Sequence, residues 1–217
     1  MSTVGGEFAS IVLIGNFNPS IFHREWFVSN DIISRTEFEE ENQEAVTSYP
    51  ITKVILSWGI IQITPNQFII RGTNPAFFGM LNDLVQKTFG ILSHTPLAQI
   101  GINYEEQLLT KNIDEQRSFG IKVAPLNNWD FMRNPGMRDF IMEDQERPDE
   151  YRGYIQARIQ SPRTVKNSVS LSINDHYEIN YEEGSGATEI INILELNWDK
   201  SMERSRLLIS TIKEKFK

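Results

Sequence analysis

Three groups of residues in this chain have the types and spacing to do chemistry. The first is two pairs of neighbouring acids, Glu105-Glu106 and Asp114-Glu115, one after a predicted strand and one before another. If the connection between them folds back, the four carboxylates meet as a general acid and base or as a divalent-metal site. Lys122, on the strand expected next, supplies the cation that nuclease-like metal sites use. The second group is Asp175, His176 and Glu178, an acid, an imidazole and an acid that together suit a divalent metal. The ordinary account of the same residues is a hairpin turn at Asn174-Asp175, since Asn and Asp close turns through their own side chains. The third is Tyr154 with Arg158, Arg163 and Lys166, an aromatic among cations, as a surface that stacks bases of RNA or single-stranded DNA needs.

The rest of the inventory weighs against chemistry. There are three histidines, His23, His94 and His176, so the supply of the commonest general acid–base group is small. His23 reads as a helix-surface residue and His94 as a loop residue near a helix end. There is no cysteine, which removes disulfides, thiolate catalysis, iron–sulfur ligation and cysteine-type zinc sites together. No phosphate-cradling G-x-x-x-x-G-K-[ST] loop, dinucleotide G-x-G-x-x-G, zinc-binding H-E-x-x-H or G-x-S-x-G nucleophile elbow occurs. No cofactor is therefore expected, and the balance points away from an enzyme. A net charge of −8 and a pI near 5.0 favour solubility and oppose nucleic-acid binding. The RNP-type motif that a sheet-based RNA reader needs is missing as well.

The elements that must position these residues alternate between strand and helix patterns. Ile11-Val12-Leu13-Ile14 is a β-branched buried strand. Asn18-Pro19 starts a helix, with Asn as N-cap and Pro at the first helical position, and Ile21, Phe22, Trp26 and Ile33 form its apolar side. Acids at Glu37, Glu39, Glu40, Glu41 and Glu44 predict a solvated loop. A strand over 54–63, a turn at Thr64-Pro65-Asn66-Gln67 and a strand over 68–70 form a hairpin. Asn74-Pro75 repeats the helix-start device and opens a helix carrying Phe77, Leu81, Leu84 and Val85. A strand over 97–104 completes the order βαββαβ, the ferredoxin-like arrangement.

The second half is less regular. The pattern predicts a strand over 119–123, a helix over 128–141 broken by Asn134-Pro135-Gly136, and strands over 154–159 and from Val169 to Ile173, with Tyr177 to Tyr181 pairing back. A flexible Glu183-Gly184-Ser185-Gly186 loop, a β-branched strand over 190–196 and a helix from Asp199 to Phe216 end the chain. The fold class expected is α+β and mainly antiparallel, with a ferredoxin-like half at 1–110 packed on a related half at 111–217 as one compact unit.

No basic n-region opens the chain, and its apolar runs are too short to span a bilayer, so a cytoplasmic location is expected without membrane contact. Thirteen phenylalanines and four tryptophans strain what one sheet and its helices can hide, and an exposed aromatic patch marks a protein–protein surface. The function expected is thus a non-catalytic interaction or assembly subunit of a soluble, bacterial-type cytoplasmic complex, with a protein partner or a second copy. The alternatives are a carboxylate-based, metal-dependent hydrolase and a single-stranded nucleic-acid binder.

Overall fold

The computed structural model describes residues 3–38, 46–48, 51–162, 164–179 and 186–216. Within them one antiparallel sheet of nine strands runs the length of the molecule. The strands are β1 (Thr3–Gly15), β2 (Val46–Ser48), β3 (Ile51–Ile55), β4 (Ile60–Thr64), β5 (Gln67–Gly72), β6 (Leu97–Leu109), β7 (Asp139–Asp144), β8 (Gly153–Gln160) and β9 (Ser168–Glu178). Their order across the sheet is β2-β3-β4-β5-β1-β6-β9-β8-β7, with every neighbouring pair antiparallel. The helices are α1 (Arg24–Ser29), α2 (Phe78–Ile91), α3 (Ile113–Val123) and α4 (Gly186–Phe216). None of the described helices is long and apolar enough to cross a membrane.

Alternation explains why one face is covered and the other open. In β1, Ala9, Ile11 and Leu13 are buried while Phe8, Ser10, Val12 and Ile14 are only half-buried. In β9, Val169, Leu171, Ile173 and Tyr177 are buried opposite a row of serines, Asn174 and His176. The two buried rows lie on the same side, where α2 packs on β1 and β5, and α4 on β6, β9 and α2. An antiparallel sheet with one wet face is stable because only alternate residues need an apolar neighbour. Gly186 seats the start of α4: a Cβ there would lie 2.3 Å from the Leu97 carbonyl oxygen, so only glycine permits this approach.

The Asn–Pro steps perform the same local task twice. Asn18 Oδ1 accepts from the Ser20 N–H at 3.1 Å, and Asn74 Oδ1 accepts from the Ala76 N–H at 3.1 Å. Each caps a 3-10 turn rather than the helix itself, and α1 and α2 follow a few residues later. His23 is the N-cap of α1, its Nδ1 accepting from the Trp26 N–H.

Several expected elements differ. The segment 190–196 lies inside α4, not in a strand. Its β-branched residues belong to a longer series in which Ile190, Ile193, Leu194, Asn197, Trp198, Ser201, Met202, Ser205 and Ile209 are buried at helical spacing, and that period overrides local β-propensity. The segment 119–123 is the end of α3, where Gln116, Gly120 and Val123 share the inner side. The segment 128–141 is not a helix. A 3-10 turn at Leu126–Asn128 and irregular chain lead into β7, as the Asn134-Pro135-Gly136 break requires. The strand expected over 54–63 is two, β3 and β4, turning through Ser57 to Gly59.

No four-stranded first half closes off. β4-β5-β1-β6 lie side by side, but α1 has six residues, β2 and β3 precede β4, and β6 pairs onward with β9. The fold is a mixed helix-and-strand structure on a single large antiparallel sheet. Glu39, Glu40, Glu41, Glu44, Arg163, Tyr181, Glu183, Gly184 and Ser185 lie outside the described residues.

Candidate functional site

The carboxylates at 105–115 go to three different places. β6 runs to Leu109, so Glu105 and Glu106 are consecutive strand residues and point to opposite faces. Glu105 is on the open face, accepting from Ser170 Oγ at 2.6 Å. Glu106 is buried on the helix side, 2.7 Å from Lys213 Nζ in α4. Tyr104 Oη stands 3.2 Å from Glu106 and 2.8 Å from Glu7. Burial and the two carboxylates push that phenol well above its ordinary range. Glu115 caps its own helix: it accepts from the Lys111 N–H at 2.6 Å, while Asn112 Oδ1 accepts from the Glu115 N–H at 2.9 Å. Asp114 is exposed in the first turn of α3, and Lys122 lies in its last turn.

Asp175 and His176 sit mid-strand in β9 and are likewise divided by the pleat. Asp175 is fully buried between two guanidinium groups, 2.6 Å from Arg147 Nη1 and 2.6 Å from Arg204 Nη1. Arg147 also takes both oxygens of Asp149 at 2.8 Å and lies 3.8 Å over the Tyr177 ring. Burial disfavours its charge, yet Asp149 and Asp175 hold it protonated. Burial, with Asp175 close by, raises the Tyr177 phenol to about 12. This network fastens the β7–β8 connection to β9 and α4; with two cations already on Asp175, it has no use for a metal. His176 is on the open face, stacked on Tyr154 at 4.5 Å, and burial pushes its imidazole down. Glu178 shares that face, 4.0 Å from Arg152. Among the described residues no three His, Cys, Asp or Glu side chains gather as a metal site.

Of the nucleic-acid group, one cation and the ring are already engaged. Arg158 grips Asp139 with two bonds of 2.8 and 2.5 Å, and the Tyr154 ring is occupied by His176. Lys166 is exposed in the turn before β9, and His94 is exposed after α2.

What the structure leaves exposed instead, in β7 and in the chain that leads into it, is apolar. In the connection from α3 and in β7, Trp129 is 46%, Phe131 76%, Met132 49%, Ile141 49% and Met142 59% exposed. Trp129 and Phe131 touch one another, with ring centroids 5.9 Å apart. β7 is the last strand of the sheet, paired only with β8. Among the described residues no other backbone group bonds to it, so its outer row of N–H and C=O groups is open. Trp129 and Met132 fall within the helix expected over 128–141. The break at Pro135-Gly136 was the signal that they had no helix to pack with.

A second surface is the open face itself. There a trough of about 950 Å³ is lined by Phe8, Val12, Trp58, Ile60, Ile69 and Arg71, among others. Of its apolar side chains Trp58 is buried and Phe8, Val12, Ile60 and Ile69 are half-buried, so they are less exposed than Phe131 or Met142.

No protein-family model matches this chain, and no curated protein matches it.

Proposed function

We propose that this chain is a non-catalytic interaction or assembly subunit of a cytoplasmic complex, and that it engages its protein partner through the β7 end of the sheet. One observation carries the reading: five large apolar residues, Trp129, Phe131, Met132, Ile141 and Met142, stand in water within one connection and its edge strand. A lone exposed apolar residue needs no explanation, but a concentration of aromatics and methionines does. Trp, Phe and Met are the residues enriched at the buried centres of interfaces. Leaving them exposed beside an open strand edge invites aggregation unless a partner covers them. The dispersal of the acids and of His176 gives a hydrolase reading no comparable support, and the Arg158–Asp139 pair gives none to nucleic acid.

The test places a photo-crosslinking residue at Met142 or Phe131 in the full chain in its native cell, with Leu196 and Leu207 on the exposed side of α4 as controls. Crosslinks to a protein are expected from the first two positions and not from the controls. Phe131→Ser and Met142→Glu should each remove that protein from the complex isolated by size exclusion with light scattering. A chain that runs as a monomer and gives no crosslink from either position would end the proposal.

A further inference from the structure

We infer that the trough on the open face binds a small molecule with an aliphatic body and a single carboxylate, and that Arg71 takes the carboxylate. The site lies apart from the β7 surface, so neither reading depends on the other. The register sets its layout. Arg71 of β5 stands across from Ile60 of β4 on one side and Ser10 of β1 on the other. Ile55 of β3 and Asn103 of β6 continue that row. Two residues along the strands, Ile69 stands across from Val12; on the other side of the row, Phe8 stands across from Glu105. Trp58, in the turn between β3 and β4, and Phe77, in the connection from β5 to α2, also line the trough. Trp58 Nε1 donates to Glu37 at 3.0 Å, which fixes the indole as a wall.

A cation without an acid defines the polar end of the ligand. The positions around Arg71 on this face belong to Ile60, Gln62, Phe8, Ser10, Val12 and Ile69, and none of them is acidic. Among the described residues the Arg71 guanidinium has no ion pair and no hydrogen-bond partner. The other arginine within the strands of the open face, Arg158, has Asp139. Lys53, two strands from Arg71 on the same face, adds a second cation with no acid partner among the described residues. The acids at the borders of the trough are already engaged. Glu37 accepts from Trp58 and from the Ser34 N–H at 2.8 Å, and Glu105 accepts from Ser170 Oγ at 2.6 Å. A guanidinium presents a planar fork of donors that fits a carboxylate with two parallel bonds.

The surroundings of that cation define the rest of the ligand. Ile55, Ile60, Ile69 and Val12 are half-buried, and Phe77 is 39% exposed, so each still shows apolar surface to water. A trough lined by half-buried side chains suits a slim ligand better than a broad protein surface. Its volume of about 950 Å³ falls within the roughly 300–1,000 Å³ of small-molecule sites. The aliphatic body supplies affinity by covering the isoleucines, and Arg71 supplies orientation. Toward β6 and β9 the lining turns polar, through Asn103, Glu105 and Ser172. Glu105 there opposes a second acid on the ligand, which is why one carboxylate is expected and not two.

The probe is decanoate below its micellar concentration, compared with decanol and decylammonium of the same chain length. Each is titrated into the full chain, with affinity read by calorimetry and location by amide chemical shifts. Decanoate should bind at least about tenfold more tightly than either analogue. Its shifts should centre on Ser10, Ile60, Ile69 and Arg71 and leave β7 unmoved. Arg71→Gln should reduce decanoate to the affinity of decanol with the melting temperature unchanged, and Arg71→Lys should keep part of the preference. Val12→Trp, which fills the trough, should weaken all three probes. Phe131→Ser should change none of them. Equal affinity of the native chain for decanoate and decanol overturns the proposal. So does a decanoate response that centres on residues 129–142 or disappears in Phe131→Ser, because the probe is then adhering to the exposed apolar residues there.

Discussion

The two ends of the sheet are held by different forces. At the β3–β5 end the aromatic residues face inward and meet one another. Phe68 packs against Phe17, Phe22 and Phe89 with ring centroids 6.3, 5.7 and 5.3 Å apart, and all four rings are buried. In the chain that leads into β7 the aromatics Trp129 and Phe131 face water, and at the β7–β8 end a charged network, Arg147–Asp175–Arg204 with Asp149, ties the chain down. The edges differ in the same sense. β2 is three residues long and offers little to a partner, whereas β7 is six residues long and carries Phe140, Ile141 and Met142 between its acids. An end stabilised by burial has used up its sticky residues. An end stabilised by ions can leave them outside without losing its shape.

Phe68→Ala tests the first half of that contrast and should have the largest effect. Removing a ring that three others pack against leaves a cavity and should cost about 3–5 kcal/mol in urea unfolding. Phe131→Ala, the same chemical change at the other end, should cost less than about 0.5 kcal/mol. Equal losses would show that the two ends are not built differently.

Asp175→Asn tests the second half. It keeps the shape and removes the charge that answers both Arg147 and Arg204, so about 2–3 kcal/mol should be lost. Amide exchange should loosen first in β7 and β8. Exchange that loosens first in β4 and β5 would refute the claim that this network fastens the β7 end.

Much of this contrast was legible in the sequence and some was hidden for physical reasons. The Ile11–Ile14 strand, the 64–67 turn, the Asn74-Pro75 turn that leads into α2 and the alternation in β9 all show their signals locally, so they are readable. α4 was half hidden because Ile190 to Leu196, taken alone, suits a strand; only its continuation to Ile209 reveals the helical period. The site residues failed through strand length. Ending β6 at Tyr104 puts Glu105 and Glu106 in a loop, where they can converge; its true end at Leu109 puts them on opposite faces. A turn at Asn174-Asp175 does the same for Asp175 and His176, which in fact lie within one continuous strand. The abundance of aromatics alone does not say which rings are buried, as Phe68 is, and which face water, as Phe131 does.

Gly153 sharpens the picture of the β7 end on a smaller scale. It opens β8 with φ of +133°, and a Cβ there would lie 2.1 Å from the His176 carbonyl oxygen. Gly153→Ala must displace backbone as well as strain it, at about 1–3 kcal/mol. The loss should appear as faster exchange at the start of β8, with β1 and β5 unaffected.

The smallest effect concerns His176 and isolates one group by pH. Burial favours its neutral form in the folded chain, with Arg147 acting in the same direction and Glu178, Glu143 and Asp175 opposing. An imidazole in the unfolded chain takes its proton near pH 6.5. Between that pH and the lower folded value the unfolded state therefore binds more protons. The stability tied to this group is complete above about pH 6.5 and is lost as pH falls toward the folded value. Asp139, held down by its bond to Arg158, and Asp149, held down by Arg147 against the effect of its burial, both titrate below the ordinary 3.8. Against the effect of its burial, bonds from Ser34 and Trp58 likewise hold Glu37 below its ordinary 4.5. The contributions of all three are lost only as the solution falls below about pH 5, so the window between about pH 5 and 6.5 reports on the imidazole. The urea midpoint of the native chain should fall across that window. In His176→Gln, which keeps a polar group against Tyr154 but takes up no proton, the fall should shrink. A native midpoint that stays flat from pH 7.5 to 5 would mean that the open face around His176 admits water freely. The charge-held end would then be looser than its ion network implies.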